Sequence, residues 1–489
     1  MKLNSKENIV KGVFWRLLER FGAQTVSFVV SVILARLLDP EVYGLIALVI
    51  VFTSIMQVFV DSGFGNALIQ KKEVDDLDYS SVFYFNIAFC LLLYACMYLA
   101  APAIAHFYNT PELTAVLRVL SLIIIISGVK NVQQAYIARN MKFKIFFFAT
   151  LGGTIGASII GILMAYNGYG VWALVAQYLF NATTDTCILW VMVKWRPKAQ
   201  FSFERLKVLF SYGWKLFVPS LIDAIYEDLR SIVIGKMYSA NDLAFYNRGK
   251  ILPQLCVSNV NSAVESVLFP AMSMEQDNIA KVRTMTSRAI KTLSYVIIPI
   301  MVGLAVCSKP IVIILFTAKW EESIPYMRIF CLALAIVPIT LANLNAIKAI
   351  GRSDVFLKLE IIRKFFNTIS ILSLMWFGVK AIACSYLLNC IMNLVINSSQ
   401  NKKLLNYSFG NQLLDMAPAV LLSTTMGIVL VLISMLDYSD WATLLIQVPI
   451  GILIYIGGSY VFKVESLQYT LSILKAFHLN SSRNRNVAV

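Results

Sequence analysis

The sequence predicts an all-α polytopic membrane protein. About fourteen transmembrane helices form two parallel six-helix lobes around a central cleft, with two helices appended. Three observations lead there. The chain has 489 residues, of which 58% are hydrophobic and only 14% charged. A soluble domain carries about 25% charged residues, and the apolar excess here falls in runs of about 20, the length that crosses a bilayer as a helix. The loops between the runs alternate between strongly basic and sparsely charged. Finally, the chain resembles itself at an offset of roughly 200 residues.

The runs lie at 13–38, 43–66, 81–106, 115–137, 145–166, 170–193, 208–236, 243–270, 288–316, 324–349, 356–377, 381–400, 413–436 and 441–462. The first carries Arg16, Glu19 and Arg20, ends in Asp39-Pro40 and has no small-x-small cleavage site. It is therefore expected to remain as span one and not to be a cleaved signal peptide. One set of loops holds Lys71/Lys72, Arg139/Lys142/Lys144, Lys194/Arg196/Lys198/Arg205/Lys207, Lys281/Arg283/Arg288, Lys348/Arg352/Lys358 and Lys402/Lys403. The other set has Lys236, Lys309, Lys319 and Lys380 beside Asp39, Glu41, Glu112, Glu321, Glu322, Asp437 and Asp440. The basic set is expected to face the cytoplasm. An even span count then puts both termini inside, in agreement with Lys475, Arg483 and Arg485 in the tail.

The net charge of +15 is explained by those loops, so nucleic acid is not expected as a partner. The eight cysteines lie mostly inside apolar runs without a CxxC pair, and the two histidines are His106 and His478. Neither a metal site nor a cofactor is expected from that set. No loop is long enough to fold as a soluble domain, which argues against an enzyme acting on a soluble substrate.

The repeat pairs Phe14-Trp15 with Gly213-Trp214, Ile33–Leu38 with Val233–Tyr238, and Ala67-Leu68-Ile69 with Val267-Leu268-Phe269. It further pairs Leu117–Leu120 with Met327–Phe330 and Val171-Trp172-Ala173 with Ala381-Ile382-Ala383. Six spans per unit is an even number, so both units enter the membrane in the same direction. The expected domains are 1–200 and 201–405 as the two lobes, and 406–489 as spans thirteen and fourteen with the tail. Two parallel lobes flanking a cleft form a transporter's architecture; a channel or a scaffold is the rival.

Charges within spans mark either a wet interior or a partner. Span seven holds Asp223, Glu227 and Arg230 at i, i+4 and i+7, on one face, with Asp228 beside them. Pro219, one turn earlier, is expected to kink this helix. An internal Glu227–Arg230 pair is the bland alternative. In span one, Arg16, Arg20 and Gln24 form a stripe; snorkelling toward the basic loops accounts for Arg16 better than for the deeper Arg20. Asp61 shares a face with Gln57 in span two, and Arg363 and Lys364 accompany Glu360 in span eleven.

Several stretches resemble a known family. Phe14-Trp15, Arg20–Gln24, Leu34–Leu45 and Asp61–Gln70 are similar to the polysaccharide repeat-unit (Wzx-type) flippases of the multidrug/oligosaccharidyl-lipid/polysaccharide exporter superfamily, in the colanic acid and teichuronic acid exporter branch. The resemblance covers essentially the whole chain and is most specific over residues 10–90. It implies a transporter that flips undecaprenyl-pyrophosphate-linked oligosaccharide across a bacterial inner membrane by alternating access. It also implies a cationic cavity, for which Arg16, Arg20, Gln24, Arg363 and Arg230 are the expected pyrophosphate and glycan ligands, because the guanidinium fork binds phosphate bidentately. Asp61, Asp223, Glu227 and Asp228 are the expected ion-coupling or gating residues. The expected partners are membrane lipid, the lipid-linked oligosaccharide, and the polysaccharide polymerase and glycosyltransferases of its pathway. A multidrug efflux antiporter of the same superfamily and a peptidoglycan lipid-precursor flippase are the alternatives.

Overall fold

The computed structural model describes residues 5–61, 63–436 and 438–468; the side chains of residues 5–14, Arg16, Leu17, Tyr212 and Ala263 are outside the description. Asp437, His478 and the tail cations Lys475, Arg483 and Arg485 therefore lie beyond it. Among the described residues every regular element is helical. In order these are α1 (Ser5–Leu37), α2 (Pro40–Asp61), α3 (Phe64–Gln70), α4 (Asp76–Phe107), α5 (Leu113–Leu120), α6 (Leu122–Arg139), α7 (Phe143–Tyr166), α8 (Val171–Met192) and α9 (Phe203–Met237). They continue with α10 (Ala240–Ser273), α11 (Ile279–Val306), α12 (Ser308–Phe316), α13 (Ile324–Leu334), α14 (Val337–Ala349), α15 (Ser353–Leu374), α16 (Val379–Leu405), α17 (Phe409–Ser434) and α18 (Asp440–Val461). A 3-10 turn, Ala318–Ser323, precedes α13.

Each of the fourteen apolar runs falls on a helix or on a consecutive pair of helices. Among the described residues ten helical stretches are long and apolar enough to cross a membrane, and the bent α9 raises this to eleven. The runs that fall short are α8, α10 and α15. α15 carries Asp354, Lys358, Glu360, Arg363 and Lys364, and α10 carries Asp242, Arg248, Lys250 and Glu265. α8 holds a polar stretch from Gln177 to Asp185. Such helices are costly when surrounded by lipid and need polar company.

The repeat is visible in the element order. The long helices α1 and α9 each lead into a second long helix after a two-residue break, and the fourth span of each repeat is broken. α5 stops at Leu120 and α6 resumes at Leu122; α13 stops at Leu334 and α14 resumes at Val337. Arg118 and Arg328, paired in the sequence repeat, sit on the short helix before each break. The break itself was not expected from hydropathy, which runs through it. The expected kink at Pro219 is displaced: α9 runs through Pro219 and bends by 54° between Phe203–Ser211 and Gly213–Met237. A Cβ on Gly213 would stand 2.8 Å from the Gly63 carbonyl oxygen. Close backbone approach, not the missing proline hydrogen bond, marks the bend.

The chain forms two compact units, Met1–Ala244 and Phe245–Val489. In the first, α7 packs along α1 and α8, α6 along α4 and α8, and α9 along α2. Its core joins Leu68, Val82, Val132, Ala149, Leu189 and Leu209, all at the end that carries the basic loops. Polar groups close that end. Asp75 and Asp78 form a capping box at the start of α4, and the Asp78 backbone N–H holds the Asp75 carboxyl below its usual range. Lys71 donates to the fully buried Asp78 at 2.6–2.7 Å. Arg139 donates to the carbonyls of Leu68, Ile69, Lys71 and Lys72, capping α3 with a cation.

In the second unit, α11 packs along α17, α13 along α16, and α18 along α17. Buried amides fasten α17 there. The Gln412 Oε1 accepts from Asn343 at 2.9 Å and from Ser398 at 2.8 Å, and Asn401 donates to Asn343 Oδ1 at 2.6 Å. Breaking any of these bonds would strand a desolvated partner, although Gln412 Nε2 and Asn401 Oδ1 themselves find none.

Glycine matters most where α2 begins. A Cβ on Gly44 would lie 1.9 Å from the Ala240 carbonyl oxygen, whereas one on Gly303 in α11 would meet nothing within 4 Å. Gly44→Ala is expected to cost about 1–3 kcal/mol. Gly303→Ala is expected to be neutral or to stabilise by up to about 1 kcal/mol. Thermal unfolding of the two variants in one detergent checks this; equal midpoints would contradict the packing described.

Candidate functional site

A charge buried in hydrocarbon needs a partner or water, so the intramembrane polar groups outline the site. In the first unit α1 turns two faces outward from its contact with α7. On the packed face, the Thr150 hydroxyl donates to Glu19 at 3.2 Å and Trp15 lies 5.4 Å from Phe147. Arg20 is exposed, and Gln24, one turn further, is half-buried with its Oε1 inaccessible and without a hydrogen-bond donor. The Arg16 side chain is outside the described residues.

The stripe on α9 changes character along its length. Asp223 and Glu227 are exposed while Arg230 is 7% exposed, because α2 covers the later part of α9. Asp228, off the stripe, accepts from the Ser54 hydroxyl of α2 at 2.5 Å. Hence these three residues share a helical face, as expected, but not a common environment. No ion pair joins Glu227 to Arg230 among the described residues.

Asp61 is the last residue of α2. Asn131 donates to its Oδ1 at 3.4 Å and to the Val60 carbonyl at 3.1 Å; the Gln57 side chain also bonds it. Asn86 on α4 donates to Asn131 Oδ1 at 3.3 Å. Beside them Lys130 of α6 pairs with Asp185 of α8 at 3.0 Å, with side chains 18% and 15% exposed. Sequence reasoning missed this pair. The signal was present: one cation inside an apolar span and one carboxylate inside another, each the only charge for at least eight residues on either side. Lys130 lies nine residues before the span's end at Arg139, about 13 Å by helical rise.

In the second unit Arg363 pairs with Glu360 at 2.6 Å, an i, i+3 contact on α15 with both side chains mostly covered. One turn on, Asn389 of α16 donates to Asn367 Oδ1 at 2.6 Å and to Ser370 Oγ at 2.7 Å. Arg363 thus stands at the head of a polar seam between α15 and α16. Near the basic-loop end, Lys291 of α11 pairs with Glu465 at 2.9 Å and approaches Asp415 of α17 at 3.8 Å. That group too was not anticipated.

Among the described residues no cluster of three or more His, Cys, Asp or Glu could hold a metal ion. What the two units offer is charge of both signs within the spans, on apolar α1, α2, α6 and α11 as well as on polar α8, α9 and α15.

The family profile described as "Polysaccharide biosynthesis protein" matches residues 33–325. The chain is 24% identical over 367 residues to the succinoglycan biosynthesis transport protein ExoT of Rhizobium meliloti (strain 1021), covering 75% of this chain and 74% of that one. It is 21% identical over 439 residues to the lipopolysaccharide biosynthesis protein WzxC of Escherichia coli (strain K12), covering 88% and 89%. Among solved structures the fold is similar to the lipid II flippase MurJ in an inward closed conformation, with TM-score 0.75, 18% identity, and 92% and 98% of the two chains covered.

Breaking a partly buried ion pair from one side strands the other charge. Lys130→Ala is expected to cost about 2–4 kcal/mol. In a double-mutant cycle with Asp185→Ala the coupling is expected at about 1–3 kcal/mol. Unfolding of the three variants measures it, and additive losses would rule the pair out as a unit.

Proposed function

The chain belongs to the polysaccharide biosynthesis protein family, and on that premise we propose that it flips undecaprenyl-pyrophosphate-linked oligosaccharide repeat units across a bacterial inner membrane by alternating access. The observation that carries this reading is the alignment across both repeats with a relative named for succinoglycan transport. Polar α8, α9, α10 and α15 support it physically. A glycan keeps its hydroxyls hydrated or hydrogen-bonded at roughly 1–3 kcal/mol each, which demands a wide wet path.

In this reading the lobes, 1–200 and 201–405, flank a central cleft, and residues 406–489 add two spans and a tail. Fourteen spans put both termini in the cytoplasm. Arg16, Arg20, Gln24, Arg363 and Arg230 are the residues that meet the pyrophosphate and glycan. Exposed Arg20 is available to incoming cargo. Arg363 has first to exchange Glu360 for phosphate, which makes the Glu360 contact a resting-state partner. Asp61, beside Lys130–Asp185, and Asp223, Glu227 and Asp228 are the candidates for ion coupling or gating. An inside-negative potential favours outward movement of an anion by about 2.3 kcal/mol per charge per 100 mV. The polymerase of the same pathway consumes the product and draws the cycle on.

Deletion of the gene in its host tests the reading. Complete lipid-linked repeat units are expected to accumulate while surface glycan is lost. Unchanged glycan with new drug sensitivity would favour efflux instead. Complementation with Arg20→Ala or Arg363→Ala is expected to leave flipping down about tenfold or more, the worth of one charge-assisted contact to phosphate. Full activity in both variants would overturn the phosphate clamp.

A further inference from the structure

A cavity of about 640 Å³ opens at the basic-loop end of the second unit, among α11, α17 and the segment after α18. That volume suits a small organic ligand. Its floor is apolar, including Tyr295, Leu414, Leu422 and Phe462, and its mouth carries Lys291, Asp415, Glu465 and Lys463. A second, separate cavity of about 350 Å³ lies among α11, α17 and α18, lined by Pro299, Leu304, Met426 and Tyr455 among others. Lys291 to Leu304 is thirteen residues of α11, about 20 Å of rise. This exceeds the ~15 Å depth of one leaflet's hydrocarbon. Charged side chains beside apolar cavities that follow one another along α11 match the charged head and apolar tail of a phospholipid.

The arrangement of charge selects the headgroup. Charge of both signs lines the cavity: Asp415 and Glu465 lie 3.8 and 2.9 Å from the Lys291 ammonium, and Asp415 also accepts from the hydroxyls of Tyr407 and Ser287. Lys291 holds the Glu465 carboxyl below its usual range, with a smaller contribution from Arg288 of α11, which does not line the cavity. Lys463, which also lines the cavity, makes no ion pair among the described residues. Its backbone is a second clue. Lys463 occupies the left-handed region at φ 48°, with Lys463 N–H donating to the Tyr460 carbonyl and Val464 N–H to the Ser459 carbonyl. This is the Schellman ending that favours glycine at this position. A lysine there accepts backbone strain that glycine would avoid, and a retained strain points to a use for the side chain.

We propose that this groove seats a zwitterionic phospholipid with a primary ammonium headgroup, of the phosphatidylethanolamine class. The phosphate lies against Lys463, the ammonium donates to Asp415 and Glu465, and one acyl chain follows α11 toward Tyr455. The bound lipid is a resident, distinct from the transported cargo.

The test uses the full-length protein, purified and delipidated, with lipid binding followed by native mass spectrometry. Phosphatidylethanolamine is expected to bind at least about fivefold tighter than phosphatidylcholine, whose quaternary ammonium cannot donate a hydrogen bond, and than phosphatidylglycerol. Lys463→Gly is expected to unfold at the same or a higher temperature, since glycine suits the backbone, while phosphatidylethanolamine affinity falls about fivefold or more. Glu465→Gln is expected to erase the preference over phosphatidylcholine. Equal or tighter binding of phosphatidylglycerol, or a Lys463→Gly protein that binds as the parent does, would overturn the proposal. So would equal binding of undecaprenyl phosphate with the same sensitivity to Lys463→Gly. A need to remove residues 469–489 before any lipid binds would assign the groove to the chain's own tail and would overturn the proposal as well.

Discussion

Everything in this molecule follows from the poverty of hydrocarbon as a solvent for polar atoms. With no water to bond to, backbone amides and carbonyls must pair within the segment, and the helix achieves this without a neighbour. Side chains then carry the remaining problem, and the structure solves it by pairing within each unit. Lys130 with Asp185, Ser54 with Asp228 and the Asn86–Asn131–Asp61 chain do so in the first. Asn343, Ser398, Asn401 and Gln412 do so in the second. The ends obey the same rule. Arg139 spreads over four carbonyls at the end of α3, and Arg196 donates to the carbonyls of Trp190, Val193 and Trp195 after α8.

How much of this is legible in the sequence depends on whether the signal is local. Helix positions are local: a run of twenty apolar residues announces itself, and all fourteen runs carry helix. The repeat was legible because its matches keep their order, and the element order follows it. The breaks after Leu120 and Leu334 were not legible, since a hydropathy window averages through a one- or two-residue interruption. Pro219 misled because a proline signals only a lost hydrogen bond. The actual bend is next to Gly213, where the chain comes close to the Gly63 backbone 150 residues away. The site shows the same division. Arg20, Asp61, Arg230 and Arg363 stand out as charges in apolar context, but their partners do not. Lys130 and Asp185 are 55 residues apart, and nothing in either neighbourhood names the other.

The exposed and covered charges have different parts to play. A guanidinium already held, as Arg363 is by Glu360, must exchange one anion for another, and this keeps a resting cavity from presenting bare charge. An exposed one, as Arg20 is, can make first contact. On the proposed reading, the acidic residues of α9 suit a cation or a gate better than a phosphate, because like charges repel.

The matching breaks in the fourth span of each repeat have a mechanical consequence. Each falls after a short helix bearing an arginine, Arg118 on α5 and Arg328 on α13. An interruption of one or two residues lets the short helix and the long one after it take different directions, so a charged end can be aimed without tilting the whole span.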